Sequence, residues 1–309
     1  MAIDFTTGAP IAGNLDVRWI HGLRSRRDVD PLIQVHAYDE HTVILRQSKT
    51  VNYEAPFLYL LFGNERALLL DTGATSDPAL FPLRVTVNGL LADWLAAHPR
   101  EGYELVVAHS HGHGDHVAGD GQFADLTVVP ADVDALKSYF GITDWPSEVV
   151  RFDLGGRVLD IVGIPGHHKA SIAIHDPWSG FLLTGDTVLR GRLYAPDFPE
   201  FVASLRRLVD FAAAREVTWV LGCHIEMTTK PRRDYPLGAR YQPDEAPLQL
   251  TVAQLTDVRD AAISVADHPG VHVFDDFIIY QGPCRGAMPK LIGRGMASLL
   301  TYRVRAALR

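Results

Sequence analysis

The stretch HSHGHGDH, residues 109–116, sets four histidines and an aspartate directly after the apolar run ELVVA, residues 104–108. Side chains that serve one ion must converge on a point, so their spacing restricts the backbone. In an α-helix His111 and His113 would point roughly 200° apart, which excludes the helical metal-binding pattern with ligands four residues apart. The segment reads as a loop, with Gly112 and Gly114 supplying the backbone freedom to bend around an ion. Asp115 and His116 would face opposite ways in a strand, whereas a turn into a following helix aims both inward. One loop thus offers two histidines to one point and an Asp–His pair to another, which suggests two ions. Imidazole and carboxylate suit zinc, and also iron or manganese.

Further donors recur at the ends of apolar runs: Asp71 in LLLDTG, His167 in IPGHHKAS, Asp186 in LLTGDT and His224 in VLGCH. Singly, each has an ordinary explanation, because Asp-Thr-Gly and Gly-Asp-Thr are turn sequences and a buried histidine is commonly a hydrogen-bonded core residue. Jointly they lie where open α/β layers carry function, at strand ends.

Working outward, the runs LIQVHAY, HTVILRQ, FLYLLFG, RALLLD, ELVVAH and LTVVP read as strands, followed by a second set in VLDIVGIP, ASIAIHD, GFLLTGD and VTWVLGC. Helical spacing appears over 90–98, 131–140 and 200–215. Strands alternating with helices predict an α/β layered fold to which both halves of the chain contribute a sheet. Beyond residue 225 a Pro-rich polar connection leads to a helix near 251–267 and a strand pair near 271–280. The last helix would carry Leu291, Met296, Leu299, Leu300 and Val304 on one stripe. Its Lys290, Arg294, Arg303, Arg305 and Arg309 are read as a solvated face that complements the helix dipole.

The 309 residues, 47% hydrophobic and 21% charged, have the make-up of a folded globule. A formal charge of -8 argues against a surface that holds a phosphate backbone, so no nucleic-acid partner is expected. Cys223 and Cys284 are too few and too far apart for a disulfide framework, which fits a reducing cytoplasm. The start MAIDFTTGAPIAGNLDVRW lacks a basic, apolar export signal, and no segment approaches the roughly 20 apolar residues that cross a bilayer. No membrane partner is expected, and a homodimer is compatible with the sequence.

Over about residues 56–224 the chain resembles the metallo-β-lactamase superfamily of metallohydrolases, with five motifs in family order: Asp71, then His111, His113, Asp115 and His116, then His167, Asp186 and His224. The resemblance implies a four-layer αβ/βα sandwich with the metal site at one edge of two facing mixed sheets. Beyond the resemblance, the chain is read as a single domain over 1–309 whose C-terminal extension, 225–309, packs on the core, with the Pro-rich stretch 231–247 as a candidate cover for the pocket. His111, His113 and His167 would bind a first metal and Asp115, His116 and His224 a second. Asp186 would bridge them, and Asp71 would orient a ligand imidazole through its other ring nitrogen. His109 matches no family ligand and is read as supporting.

Lactamases of this fold usually carry Cys or Ser where Asp186 stands, so the resemblance points away from β-lactams. It points to a small-molecule substrate with an ester, thioester or lactone bond. Two dications lower the pKa of a shared water and supply hydroxide at neutral pH, with Asp115 and Asp186 as the catalytic carboxylates. His168, Lys169 and Tyr194 are the candidate substrate-pocket residues. GHHKAS departs from the usual small residue and proline after the ligand histidine, and RRDYPLGARYQPDE is no obvious match to the substrate-binding pattern of hydroxyacylglutathione hydrolases. Alternatives are an iron-dependent persulfide dioxygenase of the same superfamily, a phosphodiesterase, and a metal-binding protein without turnover.

Overall fold

A computed structural model describes residues 1–6, 13–25, 29–282, 289, 291–293 and 295–297. A first mixed sheet contains β1 (Ile33–Asp39), β2 (Thr42–Gln47), β3 (Phe57–Phe62), β4 (Arg66–Leu70), β5 (Glu104–Ala108) and β6 (Thr127–Val128), in that spatial order. Its β1 to β4 are antiparallel neighbours, and β4, β5 and β6 run parallel. A second mixed sheet has the order β13-β12-β10-β9-β8-β7, built from β7 (Val149–Asp153), β8 (Val158–Gly163), β9 (Ile172–Asp176), β10 (Phe181–Gly185), β12 (Trp219–Gly222) and β13 (Gln249–Leu250). Within it β10 and β12 are the parallel neighbours. A small third sheet joins β11 (Arg192–Ala195), β15 (Ile278–Gln281) and β14 (Val271–Val273).

The continuous apolar run of β3 is explained by burial on both faces. Phe57, Tyr59 and Leu61 meet Ile161, Ile174 and Leu183 of the second sheet, while Leu58, Leu60 and Phe62 pack with Leu83, Val87 and Trp94 of α1 (Leu83–Ala97). On the far side, Val162, Ala173, Leu182 and Val220 pack against α4 (Phe198–Ala213) and α5 (Val252–Ser264). The layers are helix, sheet, sheet, helix. Asp197 caps α4 by accepting from the Glu200 N–H, and Thr251 with Gln254 forms a capping box on α5.

Some elements differ from the sequence reading. α1 starts at Leu83 rather than near 90 because its first turns carry Val85, Thr86 and Val87, whose β-branching favours extended chain in isolation. β7 and β11 were not expected: VVRFD is half exposed, and RLYA is short and interrupted by arginine. In the C-terminal stripe Leu291 is buried but Met296 is 69% exposed, so the two do not share a covered face. Cys284, Leu299, Leu300, Val304 and the five basic residues of that stretch lie outside the described residues.

The parallel pairs β4/β5 and β10/β12 matter most for function. Each sheet contributes one, and Asp71, the 109–116 loop, Asp186 and His224 follow directly on their C-terminal ends. The sheets are tied there by the Tyr59 hydroxyl donating to the Gly222 carbonyl at 2.7 Å and the Phe57 N–H donating to the Cys223 carbonyl at 2.8 Å.

At the other end of the strands, the buried Arg157 guanidinium donates to the His41 and Phe62 carbonyls, the Thr42 hydroxyl and, at 2.6 and 3.0 Å, the Asp176 carboxylate. It cross-links the two sheets. Removing one partner of a buried pair costs ~3–5 kcal/mol, so Arg157→Ala should lower the urea unfolding free energy by about that amount. A variant within ~1 kcal/mol of the parent would contradict this role.

His41 Nδ1 accepts the Trp94 indole N–H at 3.1 Å, and burial pushes its pKa down to about 4. The unfolded chain therefore binds a proton that the folded chain refuses, and this contribution to stability falls as pH drops from 6.5 toward 4. His41→Gln, which keeps an acceptor for Trp94, should flatten the stability-versus-pH curve in that window relative to the parent.

Candidate metal centre

β4 ends at Leu70, and Asp71 takes a left-handed turn with φ of +70° that few non-glycine residues adopt. Its buried carboxylate accepts from the Ser110 N–H at 2.8 Å, the Ser110 hydroxyl at 2.9 Å, His116 Nδ1 at 2.9 Å and the Cys223 thiol at 3.3 Å. Residues 109–113 form a loop, and α2 (Gly114–Val117) turns Asp115 and His116 inward as the spacing required. Gly112 and Gly114 do not reach positive φ, contrary to the reading above. Gly112 is small for another reason: an added Cβ would lie 3.0 Å from the Ala131 carbonyl oxygen. Gly185 does use φ of +54°, and a Cβ there would meet Ser110 Cβ at 2.7 Å, so the chain before Asp186 lies directly on the 109–116 loop.

Three imidazole nitrogens meet at one point, with His111 Nε2 and His167 Nε2 each 3.0 Å from His113 Nδ1. The opposite nitrogens set the tautomers. His167 Nδ1 donates to the Tyr194 carbonyl at 2.8 Å, and His111 Nδ1 donates to Ser110 Oγ at 3.1 Å, whose own hydrogen goes to Asp71. Both Nε2 atoms therefore carry lone pairs, and one proton on His113 could satisfy only one of them. A cation satisfies all three, and the spacing is close to the about 3.3 Å edge of a tetrahedron with metal–nitrogen bonds of ~2.0 Å.

A second group stands beside it. His116 Nε2 and His224 Nε2 are 3.4 Å apart, with Asp115 Oδ2 at 3.5 and 3.3 Å from them. His224 Nδ1 donates to the Glu54 carbonyl at 3.0 Å, which again aims the lone pair inward. Asp186 faces both groups, 3.6 Å from His116, 3.5 Å from His224 and 3.9 Å from His167, and its Oδ1 is buried without a hydrogen-bond partner among the described residues.

Charge separates the two groups. Burial, aided by the His116 ring, holds His111 well below its ordinary pKa, and burial takes His167 to about 4, so these two rings of the first group are neutral. Burial also opposes charge on His116 and His224, but the facing carboxylates outweigh it and raise both, His224 to about 9. Reciprocally, Asp115 and Asp186 are held well below the usual carboxylate range by those rings despite burial. Three nitrogen donors beside two carboxylates, whose charge is balanced by protons on His116 and His224 that metal ions would replace, with Asp186 facing both groups, fit two divalent cations.

The cavity over these groups, about 190 Å³, is lined by His113, Asp115, His167, Asp186 and His224, and also by Glu54, Leu189, Arg192, Tyr194, Glu226 and Leu237. Tyr194 is where the sequence put it. His168 and Lys169 are not on this wall: the His168 ring packs behind His111 and His113, and Lys169 is exposed. Glu54, Arg192 and Glu226 carry no motif and were missed. His109 is buried, 3.3 Å from Asp120 and 3.9 Å from Asp71, away from both donor groups. Glu40, His41 and His98 also come within reach of one another. There the Trp94 indole uses the His41 Nδ1 lone pair, so Nε2 holds the proton and offers no ligand atom.

Asp71→Asn keeps the shape and removes the charge that fixes the His116 tautomer. Metal affinity, read by competition with a chromogenic chelator, should fall ~10- to 100-fold relative to the parent. An unchanged affinity would contradict the orienting role of this carboxylate.

The comparisons with known proteins agree with this geometry. The family model described as "Metallo-beta-lactamase superfamily" matches residues 54–224, more than half of the chain. The acyl-coenzyme A thioesterase MBLAC2 of Homo sapiens is 27% identical over 219 residues, covering 60% of this chain and 77% of that protein. A hydroxyacylglutathione hydrolase of Ruegeria pomeroyi is 32% identical over 167 residues, covering 52% of this chain and 62% of that protein. Among solved structures, the metallo-β-lactamase FIM-1 from Pseudomonas aeruginosa superposes with a TM-score of 0.50 at 15% identity, covering 78% of this chain and 98% of that one, a likeness of fold alone. With the motifs, the layers and the donor groups in register with that family model, the chain belongs to the metallo-β-lactamase superfamily.

Proposed function

We propose that this metal-dependent hydrolase cleaves a thioester or a related ester of a small molecule at a binuclear centre. The observation that carries the reading is the convergence of seven donor side chains into two adjoining groups that share Asp186. His111, His113 and His167 would hold one ion and Asp115, His116 and His224 the other. Zinc is the first choice by ligand type, with iron or manganese as alternatives. Both curated relatives described above are named for hydrolysis of an acyl carrier bond, which supports the thioester over the lactone. A persulfide dioxygenase would use the three-histidine group and leave the second group without a role, which weighs against it.

Such ions, when bound, activate water and polarise a carbonyl oxygen. The chain's own residues do the rest. The carbonyl of Tyr194, Ser110, Asp71 and the carbonyl of Glu54 fix the orientation of His167, His111, His116 and His224, so each of these four rings aims Nε2 at a donor point. Asp115, half-buried at the cavity floor, is placed to orient the attacking water and to hand a proton to the leaving group. Leu189 and Leu237 give the cavity an apolar rim that excludes bulk water. We further infer that residues 225–309 work with the core as one domain and that the segment bearing Leu237 covers the pocket, held by the buried Arg46–Glu245 pair at 2.6 Å. Among the described residues no helix is long and apolar enough to cross a membrane. The low cysteine count supports a cytoplasmic location and the formal charge of -8 a function without nucleic acid; sedimentation reads whether it is a homodimer.

Elemental analysis of protein purified without added metal should give two ions per chain, and the same sample should hydrolyse a member of an ester, thioester, lactone and phosphodiester panel. Asp186→Ala should lose one ion and lower turnover by about 10²-fold or more. Full turnover with both ions retained would overturn the bridging role.

A further inference from the structure

Beside the donor groups, the cavity wall has a charge pattern that the hydrolase reading does not use. Arg192 is the one lysine or arginine among the residues that line it, and its fork is consumed. Its Nη1 donates to Asp234 at 3.0 Å and to the Tyr235 carbonyl at 2.8 Å, its Nη2 pairs with Glu226, and its Nε donates to the Tyr194 hydroxyl at 3.1 Å. Its backbone N–H also donates to Glu226, at 2.6 Å. Two carboxylates thus engage the guanidinium from within the protein. With Glu226, Glu54 is one of two lining carboxylates outside the donor groups; no lysine or arginine among the described residues forms an ion pair with it, and its neighbours are the Tyr53 hydroxyl, the His224 ring, Asp115, Glu226 and the buried Lys49, whose ammonium donates to the Tyr53 carbonyl at 3.1 Å. Two dications at the donor groups would neutralise Asp115 and Asp186 and leave a positive floor, but they would not cancel Glu54. The loaded cavity would therefore have a positive floor and, beside it at Glu54, a negative wall.

Size decides which part of a substrate meets that wall. At about 190 Å³ the cavity is smaller than the roughly 300–1,000 Å³ of sites that enclose drug-sized ligands. A bulky thiol carrier has to remain outside, so the enclosed portion is the acyl group. We propose, resting on the hydrolase reading, that the site selects short acyl groups carrying a protonated amine, aminoacyl thioesters or esters, with Glu54 as the residue that receives the ammonium. The carbonyl then lies at the positive floor and the ammonium at the negative wall, while an acyl group bearing a second carboxylate meets like charge. The reaction balances as ordinary hydrolysis: water supplies the oxygen of the new C–O bond, the C–S bond breaks, and the thiolate takes up a proton.

The experiment uses the metal-loaded full chain and three thioesters of one carrier thiol: propanoyl, β-alanyl and succinyl. One unit of charge at a half-buried contact is worth on the order of 10²-fold. kcat/KM should therefore follow β-alanyl, then propanoyl, then succinyl, with at least ~10-fold between the first two. The ratio should narrow as salt rises from ~0.01 to ~0.15 M, where the screening length falls from about 30 to about 8 Å. Glu54→Gln should collapse the β-alanyl to propanoyl ratio toward one. Calorimetric binding of the product β-alanine against propanoate gives the same comparison without turnover, and should show the same Glu54-dependent preference. Chelator-sensitive cleavage of propanoyl thioester with no β-alanyl preference, or with succinyl preferred, would overturn this inference and leave the hydrolase reading standing. No cleavage of any of the three, together with no cleavage across the wider panel, would overturn both.

Discussion

The Asp71 carboxylate is the interaction on which the site depends. It accepts hydrogen bonds from Ser110, His116 and Cys223, and so joins the end of β4, the loop after β5, the short α2 and the end of β12. These segments come from both sheets, so the carboxylate closes the sandwich at the edge where the donors collect. Its left-handed backbone is strained for an aspartate, at a cost of order 1–3 kcal/mol. The surrounding hydrogen bonds offset that strain, and glycine, which would relieve it, would remove the carboxylate that organises them.

A second constraint is directional. Four of the five donor histidines have the nitrogen that faces away from the donor point engaged: His111 by Ser110, His116 by Asp71, His167 by the Tyr194 carbonyl and His224 by the Glu54 carbonyl. Two of those partners are backbone groups of residues that also line the cavity. Tyr194 and Glu54 thus hold a donor ring through their backbone carbonyls while belonging to the cavity lining, which couples the placement of the donors to the shape of the pocket.

Much of the site was legible in the sequence because its donors cluster in motifs. H-x-H-x-D-H cannot converge as a helix or a strand, and Asp71, Asp186 and His224 each follow an apolar run that becomes a buried strand. The four layers come from the family resemblance, since a continuous apolar run such as FLYLLF marks only a strand buried on both faces. What was not legible depends on tertiary contact. Glu54 precedes a strand without any pattern to mark it, and Arg192 and Glu226 gain meaning only when β11 and the segment after β12 come together. His168 reads as a pocket residue because GHHKAS departs from the family pattern after the ligand histidine, but its ring packs against His111 and His113 and is not part of the cavity lining. The first turns of α1 were hidden because β-branched residues there are helical only through their packing on the sheet.

The central claim is that two donor groups hold two ions through a shared carboxylate. X-ray absorption at the metal edge of the loaded protein tests it most directly, because it counts imidazole scatterers and detects a neighbouring metal. The account predicts imidazole-rich coordination with a metal–metal vector at ~3.5 to 4 Å, lost when Asp186 is replaced by alanine. A single ion with no such vector at full occupancy and full activity would contradict it.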